Sequence, residues 1–227
     1  MVRSGKREGI MFEDAEEVIG RYVGTPEREI RRYRSWSLFY YFFNGPDQDR
    51  SHYSPHLAAY LASWGMYRGS SELLRAHDYT VHDGAIDIIR QYPMLNEADL
   101  STYTNIGTGA LFQLIEALRK HYKDRGVTPT DTLISKILLS CLACVPAYDT
   151  FFKAGVLDRC GIAGDFLKRE CFEDFLVALE GFQTPQRNCH QGQEYPFFKL
   201  VDMYFFQAGK PIVEEKKRRD SQMRKAK

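Results

Sequence analysis

The 227-residue chain lacks several things that would have named its class at once. No apolar run approaches the roughly 18 residues needed to cross a bilayer, so no membrane span is expected. No apolar stretch follows Met1-Val2-Arg3-Ser4-Gly5-Lys6, so no secretory leader is read there. Cysteines number five, an odd count that argues against a closed disulfide framework; reduced thiols and a cytoplasmic protein are expected. Alternating apolar and polar runs are few, and there is no Asn-Gly hairpin. No internal repeat and no Ser/Gly-rich linker divides the chain. Net charge is only +1, so no whole-molecule field argues for a nucleic-acid partner.

Helical periodicity and aromatic side chains, at 14% of residues, are abundant. Phe12 to Ile19 has helical spacing and ends at Gly20. Thr25-Pro26-Glu27-Arg28 reads as a helix start, with Thr25 as N-cap and Pro26 at the first position. Ile30, Tyr33, Ser37 and Tyr40 continue that helix until Asn44-Gly45-Pro46. Further starts fall at Ser54-Pro55, Asn96 to Leu100, Thr128-Pro129-Thr130-Asp131 and Gly164-Asp165. A last helix follows Tyr195-Pro196 and is expected to stop at Gly209-Lys210-Pro211. The pattern predicts an all-α, multi-helix globular domain of roughly eight to ten helices. The domain is expected to span residues 1–215, with 216–227 as a basic C-terminal tail. Local charge gathers in Arg28, Arg31, Arg32 and Arg34 and in that tail, from Lys216-Lys217-Arg218-Arg219 to Arg224, Lys225 and Lys227. Such a tail is usually solvated; phosphate attraction is the alternative.

Several stretches could carry chemistry. Cys141-x-x-Cys144 has the spacing of a redox pair or half a zinc site, but no second pair completes it, so core packing is expected. His52-x-x-x-His56 has helical metal spacing, yet Pro55 between them places His52 outside the helix. Neither metal nor cofactor is expected. Asp78, His82, Asp83 and Asp87 form an acidic-histidine cluster that reads first as a solvated helix start. Trp64-Gly65-Met66-Tyr67-Arg68 sets an arginine between two glycines; Arg68 could hold a phosphate, or lie in a salt bridge at a tight crossing. Lys199 and Asp202 share a helical face, a surface or half-buried ion pair by default, on a helix that could close over the core beside Asp149.

Two segments together have a further meaning. Asn105-Ile106-Gly107-Thr108-Gly109-Ala110 leads into an apolar helix. Lys136 precedes Asp149 by thirteen residues, and Val145-Pro146-Ala147-Tyr148-Asp149 is an apolar-Pro-apolar-Asp run ahead of Phe151-Phe152. From Asn105 to Phe152 the chain resembles the helix-hairpin-helix DNA glycosylase superfamily. The resemblance implies a hairpin, Asn105, Gly107, Thr108 and Gly109, whose amides grip a DNA phosphate. It implies that Asp149 caps the next helix and stabilises the cation-like sugar as an extruded base departs. Asn105 stands where the family usually has glycine, and the hairpin-to-aspartate gap is longer than the family's. No lysine occupies the usual Schiff-base place, so hydrolysis through Asp149 is expected, with Lys136 its catalytic neighbour and no lyase step assigned. Trp64, Tyr67 and Tyr148 would wall the pocket and Arg68 would hold phosphate. The whole chain is also similar to uncharacterised bacterial all-helical proteins with a Ser-Trp-Gly-Met motif, here Ser63-Trp64-Gly65-Met66, together with Pro146-Ala147-Tyr148-Asp149. The expected function is a hydrolase of DNA-repair type acting on a damaged or modified base, with antiviral defence against modified phage DNA as one setting. The alternative is a non-enzymatic helical module that binds DNA or protein.

Overall fold

The computed structural model describes residues 12–24, 27–46, 49–69, 71–183 and 194–225, with the side chains of 27–32 excepted. The caps Thr25 and Pro26, Cys189, and the side chains of Arg28, Arg31 and Arg32 therefore lie outside the described residues. Eleven α-helices and no β-strand occur among those described, so the fold is all-α. In chain order they are α1 (Ala15–Val23), α2 (Glu27–Asn44), α3 (Tyr53–Ser63), α4 (Glu72–Arg75), α5 (Asp83–Ile89), α6 (Leu100–Ile106), α7 (Gly109–Lys123), α8 (Asp131–Cys141), α9 (Thr150–Cys160), α10 (Arg169–Ala178) and α11 (Phe197–Lys225). No described helix is long and apolar enough to cross a membrane.

Local chemistry explains most of the boundaries. Asp99 accepts from the Thr102 amide while the Thr102 hydroxyl accepts from the Asp99 amide, a reciprocal box that opens α6. Thr130 caps α8 through the Leu133 amide. Asp149 caps α9, its Oδ1 accepting from the Phe151 and Phe152 amides at 3.0 Å each. Gly161, at φ +64°, ends α9 in the left-handed conformation that glycine adopts without cost.

The core is continuous and aromatic. Helix α8 runs through its middle, buried from Leu133 to Cys141. Trp36 of α2 donates its indole N–H to the Leu139 carbonyl of α8 at 3.0 Å, and Tyr103 of α6 donates to the Cys144 carbonyl at 2.8 Å. The most intimate crossing joins α9 to α11. A Cβ at Gly155 would overlap the Phe205 carbonyl, and one at Gly209 would overlap the Phe151 carbonyl. Residues 151 and 155 thus meet 209 and 205 in reverse order, so the two helices run antiparallel.

That crossing corrects one expectation. Gly209 does not end the last helix; it lets two backbones touch. Helix α11 continues through Pro211 to Lys225 across the expected boundary at 216. Proline removes one intrahelical donor, and the helix absorbs this where its packed part gives way to an exposed one. Residues 216–225 are accordingly an exposed helical extension rather than an irregular tail.

Candidate functional site

The segment between α8 and α9 is held from both sides. The Ser135 hydroxyl accepts from the Tyr148 amide at 2.9 Å, and the Thr132 hydroxyl donates to the Tyr148 carbonyl at 3.1 Å. From α11, Asp202 Oδ1 accepts from the Ala147 amide at 3.1 Å. Asp149 is thereby fixed at the head of α9. Its Oδ2 accepts from Lys136 Nζ at 3.2 Å, with the two side chains 17% and 4% exposed. The structure joins the two residues that sequence had singled out, Lys136 reaching from α8 to the cap of α9. The Lys136 ammonium also lies 4.6 Å from the Trp64 ring centroid. A desolvated cation over an indole is strongly placed.

A second pair lies close by. Lys199 Nζ donates to Asp202 Oδ2 at 2.8 Å, the side chains 2% and 9% exposed. The ammonium also faces the rings of Tyr22 and Trp36, at 4.9 and 5.2 Å, and donates to the Tyr22 hydroxyl at 3.2 Å. The ion pair expected of Lys199 and Asp202 is present, but it is buried rather than surface or half-buried: both are core residues. Burial, then the Asp202 carboxylate, push the Tyr22 and Tyr60 phenols well above their ordinary value, and Asp149 pushes both the same way more weakly. Asp202 takes the Ala147 amide two residues before Asp149, and Tyr33 stacks on both Tyr22 and Trp64, so both Lys–Asp pairs lie in one buried polar layer. Such a layer is costly, since desolvating four charges offsets most of their attraction. Charges kept inside a helical core under that cost mark a candidate functional centre.

An aromatic shell surrounds the layer. Tyr33 stacks on Tyr22 at 4.3 Å and on Trp64 at 5.9 Å; Phe206 lies edge-on to Trp64 and to Phe151, at 5.9 and 5.1 Å. Phe151, two residues past Asp149, has Lys217 of α11 over its ring at 5.4 Å. Because α11 runs antiparallel to α9, its basic end continues past the end of α9 that Asp149 caps. The N-terminal end of α9 adds positive potential of its own.

Other expected site residues lie elsewhere. Tyr148 walls no open pocket. It is fully buried and stacked on Phe166 at 5.2 Å, and its hydroxyl has no hydrogen-bond partner among the described residues. Tyr67 is engaged away from Asp149: its hydroxyl meets His82 Nε2 at 2.7 Å, and His82 Nδ1 meets the Tyr122 hydroxyl at 2.7 Å. His82 is thus a core residue rather than part of a solvated helix start, and burial lowers its pKa to about 4. Arg68 is exposed, its guanidinium folded back beside Gly65.

The hairpin is shifted and its charge is unfavourable. Asn105 belongs to α6, and the turn is made by Gly107, at φ +70°, and Thr108, with Gly109 opening α7. The Thr108 hydroxyl donates to Glu173 at 2.6 Å and accepts from Arg169 at 3.1 Å. Glu173 and Glu180 line the groove beside the turn, with Arg169 at the Thr108 hydroxyl the described cation there. A phosphate gripped there would face two carboxylates as well as that guanidinium.

No metal-holding group of His, Cys, Asp and Glu occurs among the described residues. His56 is exposed and stacks on Phe42 at 4.2 Å. Cys141 and Cys144 are fully buried, and burial raises both thiols, Cys144 to about 12, which makes them packing residues rather than nucleophiles. Sequence reasoning missed Tyr22, Tyr60, Phe151 and Lys217 as site residues. The basic stretch from Lys216 was the one signal, and it carried no hint of where the helix would lie. No known family model, curated protein or solved structure matches the chain.

Proposed function

We propose that the chain is a DNA glycosylase-like hydrolase, cleaving the N-glycosidic bond of an extruded damaged or modified base at Asp149. One observation carries this reading: the basic end of α11 runs past the capped end of α9, with Lys217 against Phe151. A phosphodiester strand drawn to Lys216, Lys217, Arg218 and Arg219 would be presented to the one partly open carboxylate of the buried layer. In the reaction the C1′–N bond breaks with its electron pair leaving on the base. Asp149 stabilises the positive charge left on the sugar, and a water oxygen then bonds to C1′ as one of its O–H bonds breaks, the proton ending on the departed base. Lys136 is a positioning residue here. Its ammonium is engaged by Asp149 and Trp64, so it holds the carboxylate in place and makes no Schiff base. Trp64, Tyr33 and Phe206 form a buried aromatic cluster beside the pair, which this reading requires to part for a flipped base.

A non-catalytic DNA-binding module is the second reading. It is favoured by the commitment of both Asp149 oxygens, one to two amides and one to Lys136. Both readings require the α11 extension to meet DNA. The test is the salt dependence of affinity for a short DNA, for the full chain and for a variant with Lys216, Lys217, Arg218 and Arg219 changed to Gln. Each phosphate that the variant no longer neutralises should lower the slope of log K against log salt by about 0.7–0.9. Absence of binding at low salt would remove DNA as the partner, and an unchanged slope would remove the α11 extension from the contact and with it this reading.

A further inference from the structure

A cavity of about 510 Å³ opens between the C-terminal end of α2, the start of α3 and the end of α5. Its volume falls within the roughly 300–1,000 Å³ used by small-molecule sites. Neither Lys136 nor Asp149 lines it. Among the described residues its charge is of one sign: Arg50 and Arg90 line it and no described carboxylate does.

Arg90 is held in an unusual way. Its guanidinium lies over the rings of Phe43 and Tyr53, at 5.1 and 4.6 Å, and both rings belong to the cavity wall. Cation–π contact orients a guanidinium without using its N–H donors. Arg90 makes no ion pair and no side-chain hydrogen bond among the described residues, and the same is true of Arg50. Two exposed guanidinia thus line one space with no described protein group to receive their donors. Asn44 spends both amide hydrogens on the Tyr40 and Cys141 carbonyls, at 3.0 Å each, which leaves its carbonyl oxygen as an acceptor for a ligand N–H. Ile89, Pro93 and Leu142 complete the wall with apolar surface fit for a flat ring.

We infer that this cavity is a binding site for a nucleotide, its phosphate taken by Arg50 and Arg90 and its base laid against the apolar wall. Phosphate suits a pair of unspent guanidinia better than a single carboxylate does, because each fork is matched by two oxygens of one group. The nucleotide could be free or part of a strand; the recognition chemistry is shared. The site owes nothing to the Lys136–Asp149 pair and stands or falls apart from the reaction proposed there.

The test is calorimetric titration of the full chain with inorganic phosphate, with deoxyadenosine monophosphate and with a short single-stranded oligodeoxyadenylate, and with succinate as a dianion of other shape. The mononucleotide should bind more tightly than phosphate, and succinate should not bind. Arg50→Gln and Arg90→Gln should each weaken the mononucleotide about tenfold, the loss expected for a charge-assisted hydrogen-bonded contact. Arg90→Lys should not restore it, because an ammonium lacks the planar fork. Arg50 is exposed, and its side chain makes no hydrogen bond or ion pair among the described residues, so its variant tests the site without testing the fold. An oligonucleotide that binds through the same two arginines assigns the site to a strand; a mononucleotide that binds alone assigns it to a free ligand. Equal binding of succinate, no binding of any nucleotide, or binding indifferent to both Gln variants would overturn the proposal.

Discussion

Removing either member of the Lys136–Asp149 pair should cost stability, and the two costs should differ in a way the geometry dictates. Lys136→Met keeps most of the stem and removes the ammonium. Asp149 then retains two amide donors at 3.0 Å and a side chain 17% exposed to water. Removing one partner of a fully buried pair costs about 3–5 kcal/mol; with this residual support the cost should fall to about 2 kcal/mol. Asp149→Ala does more harm. It deletes an N-cap worth about 1 kcal/mol and strands an ammonium whose side chain is 4% exposed, for a total of about 4–5 kcal/mol. Urea titrations at neutral pH measure both, read from the midpoint with m unchanged. In the double variant the stranded charge is gone and little beyond the lost cap, about 1 kcal/mol, remains, so the cycle should show a coupling of about 5 kcal/mol. A coupling under about 0.5 kcal/mol, or an Asp149→Ala variant no weaker than Lys136→Met, would refute the claim that the two groups support each other.

Three further outcomes follow from particular contacts. His82 has a folded pKa near 4, below its ordinary 6.5 because burial disfavours the charged ring, so its contribution is complete above pH 6.5 and is lost as pH falls from there towards 4. About 3 kcal/mol is at stake; it should appear as a pH-dependent gap between the urea midpoints of the wild type and His82→Gln, and parallel curves would contradict it. Gly209→Ala forces a methyl against the Phe151 carbonyl, and prising α9 from α11 should cost about 3 kcal/mol in a thermal melt; a neutral substitution would mean that the helices do not touch there. Tyr148→Phe deletes a buried hydroxyl that has no partner among the described residues, so it should raise stability by about 1 kcal/mol, and a loss would reveal a partner for that oxygen.

What could be read from sequence was what is local. The caps at Asp99, Thr130 and Asp149 are set by one side chain and amides two or three residues on; Asp149 was legible as a cap, and the other two fall within the helix starts read at Asn96 to Leu100 and Thr128 to Asp131. Lys136 and Asp149 were singled out thirteen residues apart, but their ion pair was not read from sequence, because spacing across a helix end does not fix where either side chain turns. Gly209 was misread because a glycine that ends a helix and one that lets two helices touch look alike in sequence; only Phe151, on another helix, tells them apart. Lys199 and Asp202 share a face at i, i+3, but that spacing does not say whether the face is inside. The hairpin's acidity comes from Glu173, sixty-five residues beyond Thr108, and no local pattern announces it.

The most direct test of the central claim is base release. The purified chain and its Asp149→Asn variant are incubated with normal, damaged and phage-modified DNA, and alkali-labile breaks are counted. Asn keeps an oxygen to cap α9, while thermal melts report how far the stranded Lys136 weakens the fold. The account predicts breaks on at least one modified DNA with the wild type and a loss of at least about a hundredfold with the variant, as for removal of one stabilising group at a transition state. Equal cleavage by a folded Asp149→Asn variant, or DNA bound but never cleaved across the panel, would contradict it.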